Sequence, residues 1–104
     1  MSTTYPSQSP EYKRAYEFSR RLKQFDMTRE QYDAMVIAQS GLCAICDRQL
    51  RRPCIDHSRV TGQVRGLLCQ DCNGGIGLLG DDFERVKRAV EYLKRWPAAL
   101  DADA

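Results

Sequence analysis

The chain lacks the stretches that would place it in a membrane or outside the cell. Its 104 residues contain no apolar run near the roughly 20 that a membrane-spanning helix needs. Residues 1–10 have no basic start followed by an apolar stretch, so they are not typical of a secretory signal. We therefore expect a protein of the reducing cytoplasm with no membrane partner.

An excess of one charge is also missing from the chain as a whole. Sixteen basic and fourteen acidic side chains leave a net charge of only +2, and histidine occurs once. The local balance differs, because five arginines and two acids lie between Asp47 and Arg65. Clustered guanidinium groups favour phosphate, although a solvated loop is the alternative interpretation. The arginines are Arg48, Arg51, Arg52, Arg59 and Arg65.

The length predicts a single small domain over 11–96. Residues 1–10 are rich in Ser, Thr and Pro, which predicts a disordered N-terminus, and we expect 97–104 to form a flexible tail. A core of this size is modest, so a structural metal would help to stabilise it.

Periodicity and turn chemistry predict three helices and one hairpin. Helices are expected over 11–25, over 29–40 with a capping box of Thr28 and Gln31, and over 82–95 with Asp81 as N-cap. Short strands are expected over 53–57 and 64–68, joined by a turn at Thr61-Gly62. After Cys72 we expect a short helix or turn, interrupted by glycines.

Two Cys-x-x-Cys pairs dominate the middle of the chain. They are separated by 22 residues and consist of Cys43, Cys46, Cys69 and Cys72. Four thiolates at this spacing predict one tetrahedral zinc, in preference to a redox dithiol or an iron site. A zinc with four sulfur ligands has no open position for water, so this ion is predicted to be structural. The fifth cysteine, Cys54, is expected to be a small buried hydrophobic residue.

Three polar residues close to these pairs suggest a second metal and a hydrolytic site. Asp56 and Asn73 offer hard oxygen ligands that suit Mg²⁺ or Mn²⁺, and a neutral His57 beside such an ion can take a proton from water. A lone histidine is more often a surface or structural residue. Since neighbouring side chains on a strand point to opposite faces, Asp56 and His57 need a bend to share one site.

The sequence from Cys54 through Asp56-His57 and on to Cys72-Asn73 closely resembles the recombination endonuclease VII family. Members of this family are zinc-containing His-Asn-His (HNH) endonucleases, common in bacteriophages. The resemblance covers about residues 40–82. It implies a small α+β fold with a ββα-metal (His-Me finger) core, braced by the four-cysteine zinc and flanked by N- and C-terminal helices.

The same resemblance implies the role of each site residue. Asp56 and Asn73 would hold a catalytic Mg²⁺ or Mn²⁺, and His57 would be the general base that activates water, leaving 5′-phosphate and 3′-hydroxyl ends. Many relatives read Asp-His-Asp-His where this chain reads Asp56-His57-Ser58-Arg59, so an arginine replaces the second imidazole. We expect phosphate contacts from Arg51, Arg52, Arg59 and Arg65.

The leading prediction is therefore a metal-dependent DNA endonuclease that nicks or cuts duplex or branched DNA. The alternatives are a catalytically silent zinc module that binds nucleic acid, and a zinc-ribbon scaffold for protein contacts. Neither alternative explains Asp56, His57 and Asn73. A homodimer and phage or host DNA-processing proteins are the other partners considered, with the host cytoplasm as the location of a phage-encoded protein.

Overall fold

The structure, a computed structural model, describes residues 9–96. The predicted tail over 97–104, and all but the last two residues of the segment 1–10, lie outside the described residues. The chain divides into two compact units between Gly41 and Leu42. We call their described parts the helical unit (9–41) and the hairpin unit (42–96); the prediction of one domain stays a prediction. No helix in the described part is long and apolar enough to cross a membrane.

The helical unit consists of α1, Pro10–Gln24, and α2, Arg29–Ala38. Helix α1 begins one residue earlier than predicted, because the side chain of Ser9 caps it and proline suits the first helical position. The predicted capping box of α2 is confirmed. The Gln31 backbone N–H donates to Thr28 Oγ1 at 3.1 Å, and the Thr28 N–H donates to Gln31 Oε1 at 2.8 Å.

The small core of the helical unit lies between its two helices. Leu22 and Tyr32 are buried, and the rings of Phe18 and Tyr32 meet edge to face with their centroids 5.0 Å apart. This ring geometry is a favourable one for aromatic pairs. Phe18 and Leu22 of α1 thus contribute to this core, whereas Ala15 is exposed.

The hairpin unit is built on two antiparallel strands, β1, Cys54–His57, and β2, Val64–Leu68. The pairing is regular from Cys54↔Leu68 to Asp56↔Gly66, but His57 then pairs with Val64, so Arg65 is skipped. One extra residue on one strand is a β-bulge, which bends the strand and redirects its side chains. The predicted strands are confirmed to within one residue, and the bulge supplies the bend that Asp56 and His57 need to share one site.

The apolar core of the hairpin unit is small. Within 42–96 its buried apolar residues are Cys43, Ile55, Leu67 and Leu68, with Leu67 fully inaccessible. Each such side chain contributes roughly 1.5–3 kcal/mol when buried, which is little against the cost of ordering the chain. Cys54 is half-buried, less than predicted. The hairpin unit therefore depends on a cross-link such as a bound metal.

Helix α3, Gln70–Leu78, follows β2 directly and packs on both strands. The prediction that this helix starts after Cys72 and is interrupted by glycines is wrong. It begins three residues earlier, with Cys69 as N-cap, and continues through Gly74, Gly75 and Gly77. Each glycine costs about 1 kcal/mol in a helix, but the cap and packing on the hairpin outweigh that cost. Helix α3 thus carries Cys72 and Asn73 on its first turn.

Helix α4, Phe83–Lys94, is capped by Asp82 and not by Asp81 as predicted. Asp82 Oδ1 accepts hydrogen bonds from the backbone N–H groups of Glu84 at 2.9 Å and Arg85 at 3.2 Å. Glu84 therefore does not complete a capping box. Asp81 instead adopts a left-handed conformation with φ of 55°. The apolar side chains of α4 remain accessible, including Phe83, Val90 and Leu93.

Candidate functional site

A tight turn after Leu42 presents the first two thiols. Leu42 and Gln49 form an isolated antiparallel bridge, and the Cys43 N–H donates to the Arg48 carbonyl at 2.8 Å. The Ala44 N–H donates to the Leu67 carbonyl at 3.2 Å, which attaches the turn to β2. The first Cys-x-x-Cys pair is therefore attached to the same hairpin that carries Asp56 and His57.

The four thiols of the two Cys-x-x-Cys pairs converge on one point. Their sulfur atoms all lie within 4.8 Å of one another, and the Cys46 and Cys69 sulfurs are 3.8 Å apart. Tetrahedral zinc with Zn–S bonds of about 2.3 Å places sulfurs about 3.8 Å apart. The donor set is the thiolate set that zinc prefers. The cysteines are therefore placed to hold a metal ion such as zinc.

Hydrogen bonds and burial perturb these thiols in opposite directions. Burial raises the pKa of Cys43, but backbone N–H groups of Cys46, Cys69 and Ile45 outweigh it and bring that pKa down to about 6. Burial and the neighbouring thiols raise the pKa of Cys72 to about 12. Negative charge on one sulfur thus opposes ionisation of another. A bound cation removes this conflict, because metal-bound thiols are deprotonated.

A second site lies in the hairpin unit. It is a cleft of about 140 Å³ between the hairpin and α3, which we call the Asp56 cleft. The structure brings together here the three residues predicted to be catalytic and two of the four predicted phosphate ligands. Its polar lining consists of Asp56, His57, Arg59, Arg65, Asn73 and Asp81.

The β-bulge explains how two neighbouring residues of one strand face the same cleft. Asp56 is 8 % exposed, whereas His57 is exposed, yet both line the cleft. A bulge redirects side chains that a regular strand would send to opposite faces. Asn73 enters from α3, one residue after the thiol of Cys72. The cysteine cluster therefore fixes the start of the helix that carries Asn73.

Arg65 holds the carboxylate of Asp56 inside the cleft. Its Nε donates to Asp56 Oδ2 at 2.7 Å and its Nη2 donates to Asp56 Oδ1 at 3.0 Å. The same guanidinium donates from Nη2 to Asp81 Oδ1 at 2.8 Å and from Nη1 to Asp81 Oδ2 at 3.2 Å. These hydrogen bonds raise the pKa of Arg65 further and hold the pKa of Asp81 below its ordinary value.

The Asp56 cleft can offer oxygen ligands to a divalent ion. Each carboxylate oxygen has two lone pairs, so the bonds to Arg65 leave Asp56 able to accept further partners. Asn73 adds an amide oxygen, and both are ligands that Mg²⁺ and Mn²⁺ favour. Among residues 9–96, the cysteine cluster is the one close group of three or more Cys, His, Asp or Glu ligand atoms. An ion in the cleft would therefore complete its shell with water or phosphate oxygens.

The predicted phosphate ligands fall into two places. Arg59 and Arg65 line the Asp56 cleft, and Arg59 Nη2 donates to the Gly77 carbonyl at 3.4 Å. Arg51 and Arg52 line a separate cleft beside Cys69 and the start of α3. Basic side chains thus lie on both sides of the first turn of α3.

Sequence reasoning missed Asp81 as a residue of the site. It was assigned to the cap of α4, whereas its carboxylate, 14 % exposed, faces Arg65. The sequence carries no local signal that separates Asp81 from Asp82; in the structure Asp81 adopts a positive φ, which Asp and Asn tolerate more readily than other residues except glycine. The partner could not be read from the sequence, since Arg65 lies 16 positions away.

Residues 18–95 match the profile of the recombination endonuclease VII family. This range includes the cysteine cluster, the hairpin and the Asp56 cleft.

The chain belongs to the recombination endonuclease VII family.

Its relatives include two phage proteins. The chain is 42 % identical over 84 residues to the Gene 59 protein of Mycobacterium phage D29, covering 77 % of this chain and 51 % of that protein. It is 40 % identical over 84 residues to the Gene 59 protein of Mycobacterium phage L5, with the same coverage. The chain thus spans about half the length of these curated relatives. No solved structure gives a significant match.

Proposed function

We propose that this endonuclease VII-family chain is a metal-dependent DNA endonuclease of the HNH type whose reaction takes place in the Asp56 cleft. The observation that carries this proposal is the convergence of Asp56, His57 and Asn73 on one cleft beside a four-thiol cluster. The two strands and α3 then form a ββα-metal core. The thiol cluster binds structural zinc, and the chemistry belongs to the other cleft.

Asp56 and Asn73 would hold a catalytic Mg²⁺ or Mn²⁺. Such an ion polarises the phosphate and stabilises the negative charge of the leaving 3′-oxygen. Asp56 is oriented by two hydrogen bonds from Arg65, and Asn73 is held on the first turn of α3. Since these residues lie on different elements, their relative position depends on how α3 is fixed to the hairpin.

His57 is the general base in this proposal. It lines the cleft but is exposed, so water and a phosphate of bound DNA can reach its ring. The imidazole takes a proton from the attacking water, whose oxygen bonds to phosphorus as the P–O3′ bond breaks. The products are a 5′-phosphate and a 3′-oxyanion, which solvent water protonates to the 3′-hydroxyl. Arg59 lies in the loop that joins β1 to β2 and supplies positive charge where many relatives have a second histidine. It cannot serve as a second base, because its guanidinium stays protonated.

Plasmid cleavage separates this proposal from the silent-module alternative. Supercoiled plasmid incubated with zinc-loaded protein and Mn²⁺ should be converted to nicked or linear forms, and EDTA should stop the conversion. DNA ligase should reseal the nicks, because their ends carry a 5′-phosphate and a 3′-hydroxyl. Protein that binds the plasmid in a gel-shift assay but leaves it intact would favour the silent module instead.

Arg51→Gln is expected to weaken DNA binding without changing the metal sites. Arg51 lines the cleft beside Cys69, away from Asp56, so its contribution should be charge on the DNA backbone. Because the slope of log K against log salt is negative, one lost phosphate contact reduces its magnitude by about 0.9. Fluorescence anisotropy over a range of salt concentrations measures this slope. Arg29→Gln removes an exposed arginine of α2 that is bonded to Asp33, and it should leave the slope unchanged.

A further inference from the structure

Two carboxylates use four of the five N–H donors of the Arg65 guanidinium. Asp56 occupies its Nε–Nη2 edge and Asp81 occupies its Nη1–Nη2 edge, through four hydrogen bonds of 2.7 to 3.2 Å. Those are the edges by which arginine forms two-pronged contacts with phosphate. In this arrangement Arg65 has no paired edge left for the DNA backbone.

The three side chains join three elements of the hairpin unit. Asp56 lies on β1, Arg65 lies on β2, and Asp81 follows the end of α3. The backbone of Asp81 is itself attached to α3, because its N–H donates to the Ile76 carbonyl at 2.8 Å. The chain of contacts therefore runs from the helix that carries Asn73 to the strand that carries Asp56.

Asp81 offsets part of the positive charge beside Asp56. Asp56, Asp81 and Arg65 together carry one negative charge, and the charge of Arg59 in the same cleft brings the charged lining to zero. The lining without Asp81 would be positive and would disfavour a cation. Without the charge of Asp81, the guanidinium would face Asp56 alone and compete fully with a divalent ion. Asp56 and Asp81 are both shielded from water, which reduces the screening of these interactions.

We infer that Asp81 is a positioning residue of the Asp56 cleft: acting through Arg65, it fixes the Asp56 carboxylate relative to α3 and leaves it available to a divalent cation. Arg65 serves as this internal link and not as a ligand of DNA phosphate, which replaces the role expected for it from the sequence. The inference rests on the proposed function, because it presumes that the cleft binds the divalent ion.

Asp81→Asn tests the inference through metal binding alone. Asparagine tolerates the left-handed backbone at this position, so the fold should survive. We expect zinc-loaded Asp81→Asn, without DNA, to bind Mn²⁺ about tenfold more weakly than the wild type, measured by the EPR signal of free Mn²⁺. The expected factor corresponds to a coupling of the usual allosteric size. Asp33→Asn is the matched control, since it removes an exposed carboxylate paired with Arg29 and should bind Mn²⁺ like the wild type.

Arg65→Gln tests the second half of the inference. Without added Mg²⁺ or Mn²⁺, the DNA affinity of zinc-loaded Arg65→Gln should show the same salt dependence as that of the wild type, whereas the slope of log K against log salt should be about 0.9 shallower for Arg51→Gln. If the slope becomes shallower by the same amount in Arg65→Gln, then Arg65 contacts the DNA backbone. That result would overturn its role as the link between Asp56 and Asp81. If Arg65→Gln does not fold, because Asp56 loses its cation, the Asp81→Asn titration still decides.

The outcomes separate this inference from the proposed function. A wild-type protein that binds no Mn²⁺ beside its zinc contradicts the catalytic ion, and with it the proposed function. A wild type that binds Mn²⁺, with an unchanged dissociation constant in Asp81→Asn, contradicts only the role of Asp81. Weaker binding that is matched by a lower unfolding midpoint in the same variant also overturns it, because a general loss of structure would then account for both changes.

Discussion

Cys69→Ser is expected to abolish zinc binding and to unfold the hairpin unit. Structural zinc contributes apparent binding free energies of about 10–16 kcal/mol in small zinc domains, which is as large as the whole stability of many proteins. The described core of this unit holds only a few buried apolar side chains, so it cannot replace that contribution. Metal analysis and far-UV circular dichroism should both show the loss.

Cys54→Ser is the control for the zinc prediction. It makes the same thiol-to-hydroxyl change in a half-buried cysteine outside the four-thiol cluster. This variant should keep one zinc per chain and a cooperative unfolding transition. Serine is a good N-cap, so Cys69→Ser does not remove the cap of α3 and its effect reports on the metal. A folded, zinc-loaded Cys69→Ser would show that the cluster is not the stabilising element.

His57→Ala is expected to reduce DNA cleavage by about 10²- to 10⁴-fold, the usual contribution of a positioned general base. His57 is exposed on the hairpin, so its removal should cost little stability. Binding of DNA and Mn²⁺ should stay near wild type, because Asp56, Asn73 and the arginines are untouched. Single-turnover nicking at saturating Mn²⁺ isolates the chemical step, and added imidazole should restore part of the rate.

Val60→Ala provides the matched comparison for His57→Ala. Val60 is 93 % exposed in the turn of the same hairpin and does not line the Asp56 cleft. Its truncation should leave the nicking rate unchanged. Cleavage by His57→Ala at the wild-type rate would remove the general-base role while leaving the nuclease activity itself intact.

The sequence predicted those elements whose determinants are local. The capping box of α2 involves residues three positions apart, and the two strands follow from short apolar runs on either side of a Gly62 turn. The cysteine cluster followed from spacing alone, because Cys-x-x-Cys turns impose a distance between thiols. Local chemistry was sufficient in each of these cases.

Helix α3 was mispredicted because its stability does not come from its own sequence. Three glycines between Gln70 and Leu78 oppose a helix by propensity. What favours it is Cys69, which caps the first turn with its sulfur, and the hairpin on which the helix packs. Neither contact can be read from helix propensity, so the glycines were interpreted as interruptions.

The polar link through Arg65 was beyond sequence reasoning for a different reason. Asp81 and Asp82 are adjacent and chemically identical, so a local rule cannot tell which caps α4 and which turns inward. The choice is made by an arginine in another element, 16 residues before Asp81. For the same reason, the sequence indicated that Arg65 binds an anion but could not show that the anion belongs to the protein.

The central claim is that the thiol cluster supports the fold while a second ion in the Asp56 cleft enables cleavage. Its most direct test is a plasmid assay on protein loaded with zinc alone, before and after Mg²⁺ or Mn²⁺ is added. We expect intact supercoiled DNA with zinc alone and nicking once the second ion is present. Cleavage by the zinc-only protein at the full rate, or none with either ion, would contradict it.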